Sequence, residues 1–236
     1  MTEDNNFINF FFIKKNSFLI ASFLKSNLTC LYQNELILDN YESNSITDKI
    51  KKFLDDNIYK IEKLNNQFIK NINLVIYDER FLPVNISIKK NVSGILYFEK
   101  ERLNLLSKIK NEIELNYKEL SIIHFLVNNN LIDSKDIDFR KNEDPIVCKS
   151  LSIEITFILF PLLDIFKYQK IFADYQISVN KIISGEHLKD LSLLEEVNEL
   201  EMALNIFLGN NPKEVILLSK KFKKEGIFEK FFHLFG

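Results

Sequence analysis

The stretch "FINFFFIKKNSFLIASFLKSNLTCLYQNELILD", Phe7 to Asp39, decides the fold. It holds three runs rich in β-branched and aromatic residues. Lys14-Lys15-Asn16 and Lys25-Ser26-Asn27 separate them as short polar turns, which predicts three consecutive antiparallel strands. Immediately downstream the period changes. Ile46, Ile50, Phe53, Leu54, Ile58, Ile61 and Leu64 recur at helical spacing, with Ser45 as a candidate cap and Asp48 in the first turn. "NINLVIYD", Asn71 to Asp78, is then a nearly continuous apolar run, as a strand buried on both faces requires.

Beyond this core the pattern restarts. Pro83 and Gly94 punctuate two strands, "VNISIKK" and "GILYFEK", and Glu101 to Leu115 carries Leu103, Leu106, Ile109 and Ile113 at helical spacing. "LSIIHFLVN", Leu120 to Asn128, reads as a strand, and a polar loop from Asp133 to Pro145 leads to another, "LSIEITFILF". Pro161 suits the first turn of a helix reaching about Tyr175, and "ISVNKII" is the last strand. This order describes a compact α+β unit. A single helical stripe runs from Leu191 to Leu208 and stops at Gly209, Asn210, Asn211 and Pro212.

With 236 residues, 46% of them hydrophobic, the chain can bury one large core or two small ones. A net charge of −2 gives no overall field for nucleic acid, so no nucleic-acid partner is expected. Cys30 and Cys148 lie far apart in apolar, strand-like surroundings and read as reduced core thiols of a cytoplasmic protein. The acidic start "MTEDNN" lacks the positive region of a signal peptide, and no apolar run approaches the ~20 residues a membrane-spanning helix needs.

Catalytic patterns do not emerge. Phosphate-cradling loops bring backbone N–H groups close to an anion and need clustered glycines, whereas the five glycines here are isolated at Gly94, Gly185, Gly209, Gly226 and Gly236. His124, His187 and His233 are scattered and neither they nor the cysteines show metal-ligand spacing. His124, inside an apolar strand, reads as a hydrogen-bonded core histidine, and His187 as a loop residue. Asp55-Asp56 and Glu195-Glu196 fall on helices among solvated neighbours and read as surface charge. No cofactor, no metal and no enzymatic activity are expected.

The C-terminus is more informative. On a helix, Ile227, Phe228, Phe231, Phe232, Leu234 and Phe235 would share an arc of roughly 160°, with Glu229, Lys230 and His233 opposite. Lys220, Lys221, Lys223 and Lys224 precede it and would each contribute about 1 kcal/mol against an anionic lipid surface. These ten apolar and basic residues are the candidate membrane-binding set, with anionic lipid as the partner. Packing of the same helix onto its own domain is the alternative.

The stretch "SIIHFLVNNNLIDSKDIDFRKNEDPIVCKSLSIEITFI", Ser121 to Ile158, resembles the inserted subdomain of the bacterial cell-division family FtsA. There a strand with a histidine (His124) leads to an aspartate (Asp133), an Asp-Pro turn (Asp144-Pro145) and an alternating strand (Leu151 to Ile158). "LLDIFKYQKIFADYQISVNKII" is similar to the helix and return strand that follow. The three opening strands, the helix at Ile46 and "NINLVIYD" are similar to the first half of the family's actin-like subdomain. "LEMALNIFLGN" and "KKEGIFEKFFHLF" are similar to its last core helix and its membrane-targeting helix.

The resemblance implies an α/β fold: a reduced actin-like (ribonuclease H-like) half-domain with an inserted small α+β domain. The expected divisions are 1–81 and 176–209 for the actin-like part, 82–175 for the insert, and 210–236 for a linker and amphipathic helix. The family's first phosphate loop, Asp-x-Gly, is replaced by "FFIKKNSF", and its second actin-like half is missing. The implied function is therefore a non-catalytic scaffold at the cytoplasmic face of the membrane, at the division site. Its implied partners are division proteins and further copies of itself; the FtsZ docking subdomain lies in the missing half. A pilus-assembly-type scaffold and an ATP-binding protein with a degenerate site are the competing readings.

Overall fold

The computed structural model describes residues 6–38, 46–136, 145–211 and 213–215. The three opening strands form as the sequence predicts: β1 (Phe7–Ile13), β2 (Ser17–Leu24) and β3 (Cys30–Ile37). They make an antiparallel meander in which Phe10 pairs with Ala21, and Ala21 with Gln33. Helix α1 (Ile46–Asn65) carries the chain across to β4 (Asn71–Ile76), which lies parallel to β1 with Phe11 opposite Leu74. Parallel pairing demands such a crossover, because the chain must return to the same end of the sheet.

The chain then leaves this sheet and builds a second one. β5 (Leu82–Leu96), α2 (Phe98–Asn116), β6 (Leu120–Ile132), β7 (Lys135–Asp136) and β8 (Ile146–Pro161) form a four-stranded sheet of order β5-β8-β6-β7, antiparallel throughout. Phe98, Leu106, Ile109 and Ile113 of α2 pack on Phe125, Val127, Ile155 and Phe157 of the sheet. The chain re-enters the first sheet through α3 (Leu162–Ala173) and β9 (Ser178–Ser184), which pairs in parallel with β4. Two helices, α4 (Gly185–Leu194) and α5 (Glu199–Leu208), follow.

The first sheet has the order β3-β2-β1-β4-β9 and is covered on both faces. Strand alternation explains the run of phenylalanines in β1. Phe11 faces α1 and α3, within a cluster that includes Phe53 and Phe172, while Phe10 and Phe12 face α4 and α5 beside Leu188, Met202 and Ile206. Each such ring removed from water contributes about 1.5–3 kcal/mol. Three antiparallel strands, a helical crossover, and two parallel strands in this order are the arrangement of an actin-like, ribonuclease H-like half-domain. The α/β class and the inserted α+β unit expected from sequence are both present.

Several local expectations are corrected. "VNISIKK" and "GILYFEK" are not two strands: β5 runs through both, and Gly94, at φ +110°, absorbs the register shift between Asn91 and Gly94. Tyr97 to Lys100 leave that strand early, because α2 begins at Phe98, whose buried ring anchors its first turn. The stripe from Leu191 to Leu208 is two helices rather than one. Glu196 adopts φ +54° between them, and Asn198 caps α5 by accepting from the Glu201 N–H at 2.9 Å. His187 lies on α4 rather than in a loop.

Helix α3, counted with the insert on sequence, buries Ile165, Tyr168, Ile171 and Phe172 against the first sheet, because its apolar stripe faces Phe11 and Leu74. Cys30 is exposed on edge strand β3, whereas Cys148 is buried. On α1, Leu64 is exposed and Asn57 is buried in its stead on the inner face, its Oδ1 accepting from Tyr32 Oη and Asn34 Nδ2. Ser45 and Asp144 lie outside the described residues.

Candidate functional site

In a sheet of this topology, ligands bind beyond the carboxyl ends of the parallel strands. Three residues stand there: Lys14 after β1, Tyr77 after β4 and Gly185 after β9. The Tyr77 N–H donates to Ile13 O at 2.9 Å, continuing the β1–β4 ladder by one residue. Its ring then lies on Gly185, the first residue of α4, so closely that a Cβ at position 185 would stand 2.4 Å from the ring carbons. A helix N-terminus following a strand is where this architecture offers N–H groups to an anion. Here an aromatic ring is packed against it.

Lys14, the cation that follows β1, is already engaged. Its Nζ lies 2.6 Å from Glu199 Oε2 on α5 and 5.5 Å from the Tyr77 ring centroid. Burial pushes the Tyr77 phenol above its ordinary range, and the neighbouring Glu199 and Glu186 carboxylates add to this. On the other side of β4, Arg80 bridges Asp78 and Asp164 at 2.6 and 2.7 Å and lies over the Phe160 ring. Burial of the Asp78 carboxyl is outweighed by Arg80, which holds it below its usual value. This bridge ties the start of the insert to α3.

A second cluster sits where the two sheets meet. His124 on β6 is 1% exposed. The Ser184 N–H, at the end of β9, donates to its Nε2 at 3.0 Å, so Nδ1 carries the proton and donates to Glu214 Oε1 at 3.0 Å. Lys181 Nζ is 3.7 Å from the same carboxylate and donates to Ile206 O at 3.1 Å. The His187 ring lies 4.7 Å from the His124 ring, centre to centre. Burial and the neighbouring His124 lower the His187 pKa to about 4, keeping it neutral near pH 7. Glu214 is held below its ordinary value: burial opposes this, but the His124 bond, then Lys181, outweigh it.

Glu214 belongs to a short strap. Val127 N–H donates to Lys213 O, and Val215 N–H to Phe125 O, each at 2.8 Å, so the strap runs antiparallel along β6. Beside it an open cleft of about 750 Å³ is lined by Phe125, Lys181, Phe207, Glu214, Val215 and residues of α2. Ser184 presents its backbone N–H to His124, while its Oγ caps α4. The cluster therefore joins elements together and does not align a hydroxyl nucleophile with a base.

Sequence reading treats the histidines as unrelated; the fold brings His124 and His187 into ring contact. The available signal was Ser184-Gly185-Glu186, an N-cap followed by an acidic first turn, which marks a helix start just before His187. Nothing local in the sequence ties Glu214 to β6. Asp55 and Asp56 are exposed on α1, Asp55 accepting from Tyr175 Oη at 2.7 Å, and Glu195 and Glu196 are exposed between α4 and α5. Among the described residues no group of three or more His, Cys, Asp or Glu is placed to hold a metal ion. No helix of the described residues is long and apolar enough to cross a membrane. The candidate membrane-binding residues, Lys220 to Phe235, lie outside the described residues.

No family model matches the chain, and no curated protein matches it. Among solved structures it is similar to the cytoplasmic domain of EpsL, an inner membrane component of the type II secretion system of Vibrio cholerae. That match has 7% identity and a TM-score of 0.34 over 75% of this chain and 55% of the other. It is also similar to a Bacteroides thetaiotaomicron protein with an actin-like ATPase fold and unknown function, at 13% identity and a TM-score of 0.34 over 81% and 58% of the two chains. The chain spans a little over half the length of each of these structures.

Proposed function

We propose that this chain is a non-catalytic actin-like scaffold that holds division-ring proteins at the cytoplasmic face of the membrane. The observation that carries the non-catalytic part is the Tyr77 ring packed on Gly185, with Lys14 neutralised by Glu199 beside it. These side chains occupy the end of the sheet where a phosphate would need open backbone N–H groups and a free cation. The membrane part rests on the two-faced tail of lysines and phenylalanines in the sequence. The division role rests on the resemblance of the inserted module to FtsA, and the module is the proposed partner surface.

Co-sedimentation with vesicles tests the anchor. The full chain should pellet with anionic vesicles and stay in solution with neutral ones, and a version ending at Lys224 should stay in solution with both. If the full chain stays in the supernatant with anionic lipid, the membrane role fails. Saturable binding of a fluorescent ATP analogue, displaced by ATP, overturns the non-catalytic reading. Co-purification from cells with pilus-assembly or secretion components instead of division proteins would keep the scaffold and replace its partners.

A further inference from the structure

After α5 the chain turns back across the junction of the two modules. Gly209, in the left-handed region at φ +81°, ends the helix. Asn211 is buried, its Nδ2 3.4 Å from His187 Nε2 and its Oδ1 accepting from the Lys213 N–H at 3.2 Å. The strap on β6 follows. β7 covers only Leu131 and Ile132 of the outer edge of β6, so around Phe125 and Val127 the strap takes the place of a neighbouring strand. One carboxylate, Glu214, thus connects the strap to β6 through His124 and to β9 through Lys181, while His124 itself holds the Ser184 N–H of β9.

This connection is small. Two backbone hydrogen bonds, the Glu214 contacts, the Asn211 contact with His187 and the packing of Val215 on the second core fasten the strap, against the long ladder that joins β6 to β8. Segments held by few bonds at an exposed edge open independently of the core.

We propose that Asn211 and Lys213 to Val215 form a latch: a unit that opens on its own and fixes β6 against β9 while closed. The latch does not depend on what the tail binds.

Native-state hydrogen exchange on the full chain tests this. The amides of Val127 and Ser184 donate to the strap and to His124, whereas the Leu74 amide lies in the middle of the first sheet. In low urea, Val127 and Ser184 should exchange through an opening that is insensitive to denaturant, about tenfold or more faster than Leu74. Glu214→Gln keeps the side chain's size and removes its charge; it should speed Val127 and Ser184 by about tenfold and leave Leu74 unchanged. Val215→Pro deletes the N–H given to Phe125 and should speed Val127 similarly. The latch is overturned if all three amides follow the urea dependence of global unfolding. It is equally overturned if neither variant moves Val127 or Ser184, or if Leu74 accelerates as much as they do.

Discussion

The ring of Tyr77 rests directly on the backbone of Gly185, leaving no room for a Cβ at that position. Gly185 has an ordinary backbone conformation, so space and not torsion demands glycine. Gly185→Ala should therefore lower stability by about 1–3 kcal/mol, the usual range for overpacking. In urea denaturation the cost should shrink when Tyr77→Ala is combined with it, because the two residues share one contact. Additive effects would show that the ring does not press on this helix start.

Acid should weaken the junction between the sheets. His187 has a pKa of about 4 in the fold, lowered by burial and by His124, against about 6.5 in the unfolded chain. The unfolded chain therefore binds the proton first. Stability is undiminished above about pH 6.5 and falls as pH drops towards 4, by roughly 3 kcal/mol in all. Unfolding free energies from pH 7 to 4 should decline less steeply in His187→Gln than in the parent. Equal slopes would refute the assignment.

The two thiols should behave differently. Cys30 is exposed on β3 and Cys148 is buried in the second sheet. Partial desolvation of Cys30 and burial of Cys148 push both thiols above their ordinary pKa, so labelling at neutral pH should be slow. An aromatic disulfide reagent should modify one thiol per native chain and a second only after denaturation. Modification of both in the native protein would contradict the packing of Cys148.

The β6–β7 hairpin turns on Asp133 and Ser134, at φ +49° and +67°, a type I′ geometry. Asp133 Oδ1 accepts from the Lys149 and Ser150 N–H groups at 2.8 Å, which ties the turn to β8 and holds its carboxyl below the usual range. Asp133→Asn keeps an acceptor and tolerates this backbone, so its melting temperature should stay near the parent's. Asp133→Val loses both and should lower it by several degrees; calorimetry of the two variants separates them.

The first sheet was readable because its signals are local. The polar breaks at Lys14-Lys15-Asn16 and Lys25-Ser26-Asn27 stand between apolar runs, and α1 declares its period in Ile46, Ile50 and Ile61. The split between α4 and α5 was hidden because Leu191, Leu194, Val197 and Leu200 keep the helical period across the break, and no glycine or proline marks Glu196. Gly94 gave the opposite error: it reads as a strand end but serves as a bulge within β5. The His124–Glu214 bond spans 90 residues, and only tertiary pairing creates it. Asn57 broke the rule that inner helix faces are apolar, because Tyr32 and Asn34 supply its partners from β3.

Leu82 at the start of β5 stands opposite Leu159 near the end of β8, so the inserted module leaves and rejoins the main body at neighbouring points. Its two stems close like the neck of a loop. A chain built this way can gain, lose or exchange the whole module in evolution without rerouting β4, α3 or β9. Some 80 residues, Leu82 to Pro161, stand between these stems, roughly the size at which an added unit holds a core of its own.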